Sequence, residues 1–270
     1  MEKIYLNIAG FKLLFKIHPR DQRFYTEKFI QMLKTDYSGF ITKAGKGADF
    51  TFDIYSYGLV VLSGEDLAKK TNSFNVRLFH INEKTHTLRT HNPPGNFDFE
   101  FMVNMVLNKY LLSSADGFTI HGSGVSYNDK AYIFEGSNGA GKSTTAQLLN
   151  GLCNILSDDS ILIRKMNKKF YFFQTLQYEK NYNFAKNKKS YPIDKVFFIR
   201  KANKCAVKEI KNKNFILKKM LKQLFTYPDK IKKQFPLIAE FVDKTEFYYL
   251  YIKKDEKVFK QFFKKEILKI

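Results

Sequence analysis

After the apolar run Tyr132-Ile-Phe-Glu135 the chain reads Gly136-Ser137-Asn138-Gly139-Ala140-Gly141-Lys142-Ser143-Thr144. Glycines at this spacing let successive backbone N–H groups curl inward around an anion. The lysine that follows reaches the outer phosphates, and the adjacent hydroxyl of Ser143 can ligate Mg²⁺. Ser143 and Thr144 also open a helical run to Leu149, whose N-terminal dipole favours the same anion. The pattern implies a bound nucleoside triphosphate.

A loop of this kind serves transport ATPases, recombination ATPases and kinases, so the neighbouring residues have to decide between them. Asn154-Ile-Leu-Ser157 reads as the next strand and ends in Asp158-Asp159, with Asp159 only 17 residues after Lys142. Upstream, Phe118-Thr-Ile-His121-Gly-Ser-Gly-Val125 reads as one strand. It turns through Asn128-Asp129-Lys130 into the strand before the loop, and this antiparallel pair would bring His121 back toward the loop. The Leu-Ser-Gly-Gly signature of transport ATPases does not occur.

His121-Gly, fifteen residues to Gly136, the loop and the early acidic pair together resemble the HPr kinase/phosphorylase family and its wider relatives, over roughly residues 116 to 165. Those relatives include serine kinases acting on carrier proteins, on peptide precursors and on free serine, and their core is similar to that of phosphoenolpyruvate carboxykinases. The resemblance implies an α/β fold with a P-loop core and a mixed sheet. It makes Lys142 the phosphate clamp, Ser143 a Mg²⁺ ligand and His121 an active-site histidine. Of the acidic pair, one carboxylate organises the metal and the other acts as base; Asp158 is assigned as base and Asp159 to the metal shell. Phosphoryl transfer needs little beyond positioning, charge neutralisation and removal of the acceptor's proton, and these residue types supply all three. The family's glutamate-arginine-glycine-leucine-glycine signature is absent, which argues against HPr itself as acceptor. Glu179 is the nearest acidic residue at a distance suited to a further metal contact.

The reading is therefore an ATP- and Mg²⁺-dependent kinase acting on a serine or threonine hydroxyl of a peptide or small protein. Free serine as acceptor, or a nucleotide-operated switch without transfer, are the alternatives. Residues 181–270 carry 24 Lys and Arg against 9 Asp and Glu, which is +15 of the whole chain's +20. Such a surface suits an acidic acceptor, although lysines along helix faces are usually just solvated, and no nucleic-acid motif accompanies them. No apolar run approaches 18 residues and no signal-peptide pattern occurs, so the expectation is a cytoplasmic protein without a membrane span. A homo-oligomer is compatible with the sequence. Cys153 and Cys205 lack metal-ligand spacing and read as reduced thiols.

A strand-rich smaller domain is expected over residues 1–115 and the catalytic domain over 116–270. In the first, Ile4–Ile8 and Lys12–Ile17 form a hairpin and Arg23–Leu33 an amphipathic helix. Strands follow at Phe50–Tyr55, Gly58–Leu62, Phe74–Asn82 and Thr85–His91, and a helix at Phe97–Leu112. His80, His86 and His91 read as surface or turn histidines. In the second, Ser160–Arg164 pairs with Lys169–Phe173, and Asp194–Arg200 with Cys205–Ile210. Helices at Asn214–Phe225 and Asp229–Val242, a strand at Phe247–Ile252 and a helix from Asp255 complete it.

Overall fold

The computed structural model describes residues 1–18, 23–45, 47–55, 79–90, 95–112, 117–177 and 186–270. The protein is mixed α/β, with two mixed sheets in two compact units, Met1–Met102 and Val103–Ile270. The division falls inside a helix rather than at 115–116.

In the first unit, β1 (Glu2–Ile8) and β2 (Phe11–His18) form the expected hairpin. Its tip, Ala9-Gly10, has φ of 55° and 85°, the left-handed pair that matches strand twist in a two-residue turn. Helix α1 (Arg23–Thr35) carries the chain over so that β3 (Phe50–Tyr55) lies parallel to β2. β4 (Phe79–Asn82) and β5 (Thr87–Thr90) complete the order β1-β2-β3-β5-β4. Phe15 and Phe52 sit opposite each other in register and stack at 4.5 Å. Phe99 of α2 (Asn96–Val106) packs on Phe15 and Phe29. Tyr37 OH donates to buried Glu100 Oε1 at 3.0 Å, and burial together with that carboxylate pushes the phenol well above its ordinary range. His86 occupies a turn with φ 48°. The strand expected at Gly58–Leu62, the start of Phe74–Asn82, and His91 lie outside the described residues.

The second unit begins with β6 (Gly117–His121), β7 (Ser123–Tyr127) and β8 (Lys130–Glu135). Here the expectation of one strand through His121 fails, because the chain breaks at Gly122. β7 makes the hairpin with β8 across Asn128-Asp129, whereas β6 leaves to pair with β10 (Ser160–Met166). Glycine permits the break: a Cβ there would lie 2.8 Å from Glu135 Oε1 and 3.1 Å from the Phe134 carbonyl.

Helix α3 (Lys142–Leu148) leads to β9 (Asn154–Ser157), which lines up antiparallel to β7. β10 and β11 (Lys169–Gln174) form the expected hairpin, and β11 meets the start of the long β12 (Ser190–Lys201). β13 (Ala206–Glu209) does not pair with β12 as expected. β15 (Glu246–Ile252) lies between them, parallel to β12 and antiparallel to β13. Two helices, α4 (Lys213–Lys222) and α5 (Pro228–Lys244), flank the two-residue β14 (Leu224–Phe225). α6 (Glu256–Phe262) is capped by Asp255, whose carboxylate accepts from Val258 N at 3.1 Å.

Alternation along buried strands divides the core in two. Val196 and Phe198 of β12 join Ile133, Ile161, Phe241 and the α4–α5 side. Phe197 and Ile199 join Phe134, Ala146 of α3 and Phe259 of α6. A strand covered on both faces needs such an unbroken apolar run, and Val196-Phe-Phe-Ile199 supplies one. The sheet order is β14-β6-β10-β11-β12-β8-β7-β9, and His121 at the end of β6, the loop after β8 and the residues after β9 line one cleft.

Candidate functional site

The glycine-rich loop joins the end of β8 to α3. Gly139 and Gly141 have φ of 75° and 104°, values that a side chain would strain, and a Cβ at Gly136 would lie 2.8 Å from that of Ala140. Ser137 O accepts from Ala140 N at 3.0 Å and Gly141 O from Thr145 N at 2.8 Å, so the loop closes tightly and opens directly into the helix. Lys142 is buried and folds over the loop, its Nζ donating to Gly136 O at 3.0 Å. Asn138, Gly139, Ala140, Gly141, Lys142, Ser143 and Thr144 all line one cleft of about 520 Å³. Gly136 and Ser137, expected with them, are not among its lining residues.

His121, Asp158 and Asp159 line the same cleft. The hairpin proposed for His121 does not bring it there; β6 does, by pairing His121 with Ser160 of β10, the residue after Asp159. His121 Nδ1 lies 2.9 Å from Asp159 Oδ1, and Gln177 Nε2 donates to Asp159 Oδ2 at 2.5 Å. Gly122 N further ties the Asp159 carbonyl at 3.1 Å. The carboxylate is thus held in place yet remains 44% exposed to the cleft.

Asp158 is bound differently. Its carboxylate hydrogen-bonds the Ser143 side chain, and burial, reinforced by the neighbouring Asp159, raises its pKa, opposed by Ser143, Lys142 and His121. One oxygen, Oδ1, is buried without a hydrogen-bond partner. The contacts thus divide the acidic pair: Asp158 meets the loop hydroxyl and Asp159 meets the histidine. Both aspartates lie in the bend between β9 and β10, past the last residue of the strand.

An orphaned carboxylate oxygen beside a hydroxyl is a hard-oxygen donor set of the kind Mg²⁺ takes. Among the described residues no three His, Cys, Asp or Glu converge into a ready-made cage. Glu179, the third expected metal contact, lies outside the described residues. Cys153 is buried, its thiol pushed up to about 12 by that burial, and Cys205 is half-buried; both are free.

Sequence reasoning missed two side chains. Glu135 ends β8 directly before the loop and is fully buried, with neither carboxyl oxygen hydrogen-bonded by another side chain or backbone group at good geometry. Burial raises its pKa far above the ordinary glutamate value, with Lys142 the main opposing influence. A carboxylate closing the otherwise apolar Tyr132-Ile-Phe run was a legible anomaly. Gln177 offered no such signal, since only the fold of the segment after β11 brings it to Asp159. The cleft's far wall, Ile199, Lys201, Ile252 and Lys254, comes from the carboxyl ends of the parallel strands β12 and β15, where ligands of open α/β sheets bind.

With this geometry in place, the family described as "SynChlorMet cassette protein ScmC" matches residues 98–219, a segment containing the loop, His121 and both aspartates. No curated protein matches the chain. Among solved structures, the HPr(Ser) kinase/phosphatase from Coxiella burnetii is similar over 56% of this chain and 97% of its own, at 8% identity and a TM-score of 0.32.

Proposed function

We propose that this protein is an ATP- and Mg²⁺-dependent kinase with a P-loop core of the HPr-kinase-like type, transferring the γ-phosphoryl group to a serine or threonine hydroxyl of a peptide or small protein. The observation that carries the reading is the division of the acidic pair, with one carboxylate on the loop hydroxyl and the other held by His121 and Gln177 and open to the cleft. A switch that transfers nothing has no use for the second.

In this mechanism the glycine loop cradles the phosphates with its backbone N–H groups, and Lys142 moves from Gly136 O onto the β and γ oxygens. Ser143 and Asp158 would hold Mg²⁺, which when bound neutralises charge building on the phosphates. Asp159, oriented by His121 and Gln177, accepts the acceptor's hydroxyl proton as that oxygen attacks the γ-phosphorus. The bond from the γ-phosphorus to the β–γ bridging oxygen breaks, and ADP leaves. His121, whose Nδ1 lies 2.9 Å from Asp159 Oδ1, keeps that carboxylate oriented as it takes up the proton.

Lys142→Ala should abolish transfer and weaken Mg-ADP binding, measured by calorimetry, because it removes the loop's only cation. Undiminished turnover would remove the loop from the mechanism. Wild-type nucleotide binding with no transfer to any hydroxyl acceptor would leave the switch.

A further inference from the structure

Resting on the kinase reading, we infer that Phe225 is a specificity-determining residue that selects a peptide acceptor carrying an apolar side chain beside its phosphorylated hydroxyl. Phe225 is a large aromatic left 43% exposed, and its ring meets the edge of the His121 imidazole, 5.8 Å between centroids at 83°. Exposed aromatics are common on surfaces; one that touches a histidine lining the reaction cleft is placed to contact whatever docks there. The neighbouring backbone is built into the site as well, since His121 N donates to Gln223 O at 2.7 Å.

The surroundings point to an extended acidic peptide. β14 pairs with β6 through Leu224–Ile120 and Phe225–Thr119 and ends the strand order, so its outer edge carries no strand among the described residues. A free edge beside a reaction site can take an extended segment by main-chain hydrogen bonds, with alternate side chains giving specificity. Thr226 and Gln234 join at 2.5 Å and tie this edge to α5. There Ile231 and Phe235, one helical turn apart, are 41% and 43% exposed. Three of the seven exposed large apolar residues among those described thus fall between 225 and 235. Exposed Lys222, Lys232 and Lys233 frame them, complementary to acidic residues further along such a peptide. Free serine offers neither an apolar flank nor a main chain long enough for the edge.

The test uses the full-length protein with Mg²⁺ and a non-hydrolysable ATP analogue, panned against a library of acidic serine-centred nonapeptides with randomised flanks. Binding is read without transfer. Wild type should enrich Leu, Ile or Phe beside the serine by about tenfold, the scale of burying one apolar side chain. Phe225→Ala should lose that enrichment while its Mg-ADP affinity stays within about twofold of wild type, and Phe225→Leu should keep most of it. Absence of enrichment, enrichment unchanged by Phe225→Ala, or free L-serine phosphorylated as efficiently as the enriched peptides would overturn the inference. Enrichment with no transfer to the enriched peptides from ATP would instead sink the kinase reading and leave the peptide surface standing.

Discussion

Asp158 and Asp159 share a peptide bond but differ in neighbours, and the difference yields opposite expectations for the same substitution. Asp158→Asn removes the charge beside Ser143 and should cost Mg-nucleotide affinity. Asp159→Asn should leave that affinity nearly intact and cut transfer by on the order of 10²-fold or more, as loss of a general base does. Calorimetry with Mg-ADP and a transfer assay on both variants decide the order, and the reverse result would return the base to Asp158. Glu135 makes a stability prediction. Its folded-state pKa is raised, so above the ordinary glutamate range the folded chain keeps a proton that the unfolded chain releases. Its effect is therefore to lower stability progressively as pH rises from that range. Glu135→Gln removes the effect, so the melting temperature of the variant relative to wild type should climb between pH 5 and pH 8. A gap independent of pH would mean that Glu135 is ionised in the fold. At this scale the loop was legible because its residues are consecutive; the partners of the two aspartates were not, because they arrive from other strands.

At the scale of elements, the hydrophobic pattern located nearly every strand and helix of the second unit, but pairing was beyond it. Phe118 to Val125 reads as one strand on paper, and only the pairing of β6 with β10 and of β7 with β8 shows that there are two. Gly122→Ala should accordingly destabilise by about 1–3 kcal/mol, the range for an inserted methyl that forces core and backbone to shift, since the Phe134 carbonyl behind it cannot move freely. Urea unfolding measures this, and because His121 precedes the break, transfer should fall with it. A fully stable, fully active alanine variant would mean the break does not depend on glycine. β13 shows the same limit. Its alternation is right and its neighbour wrong, because β15 enters from 40 residues later to take the place beside β12.

Over the whole molecule the +20 charge is concentrated in the C-terminal third, and no described helix is long and apolar enough to cross a membrane. If the exposed lysines draw in an acidic acceptor, its apparent affinity should fall steeply from low to physiological salt, where screening acts over about 8 Å. Mg-ADP affinity, set by short contacts inside the loop, should change much less. Parallel, shallow salt dependence of the two constants, measured on one salt series, would assign the charge to solvation alone. The amino-acid sequence by itself determined the glycine loop and the position of the acidic pair after a strand, because each depends on residues within a few peptide bonds. Tertiary structure alone decided that His121 reaches Asp159 through β10, that Ser143 takes Asp158, that Gln177 holds the candidate base and that Phe225 lies beside the histidine. Those are register relations between segments up to about a hundred residues apart, and a sheet sets them by choosing its neighbours from all strands at once.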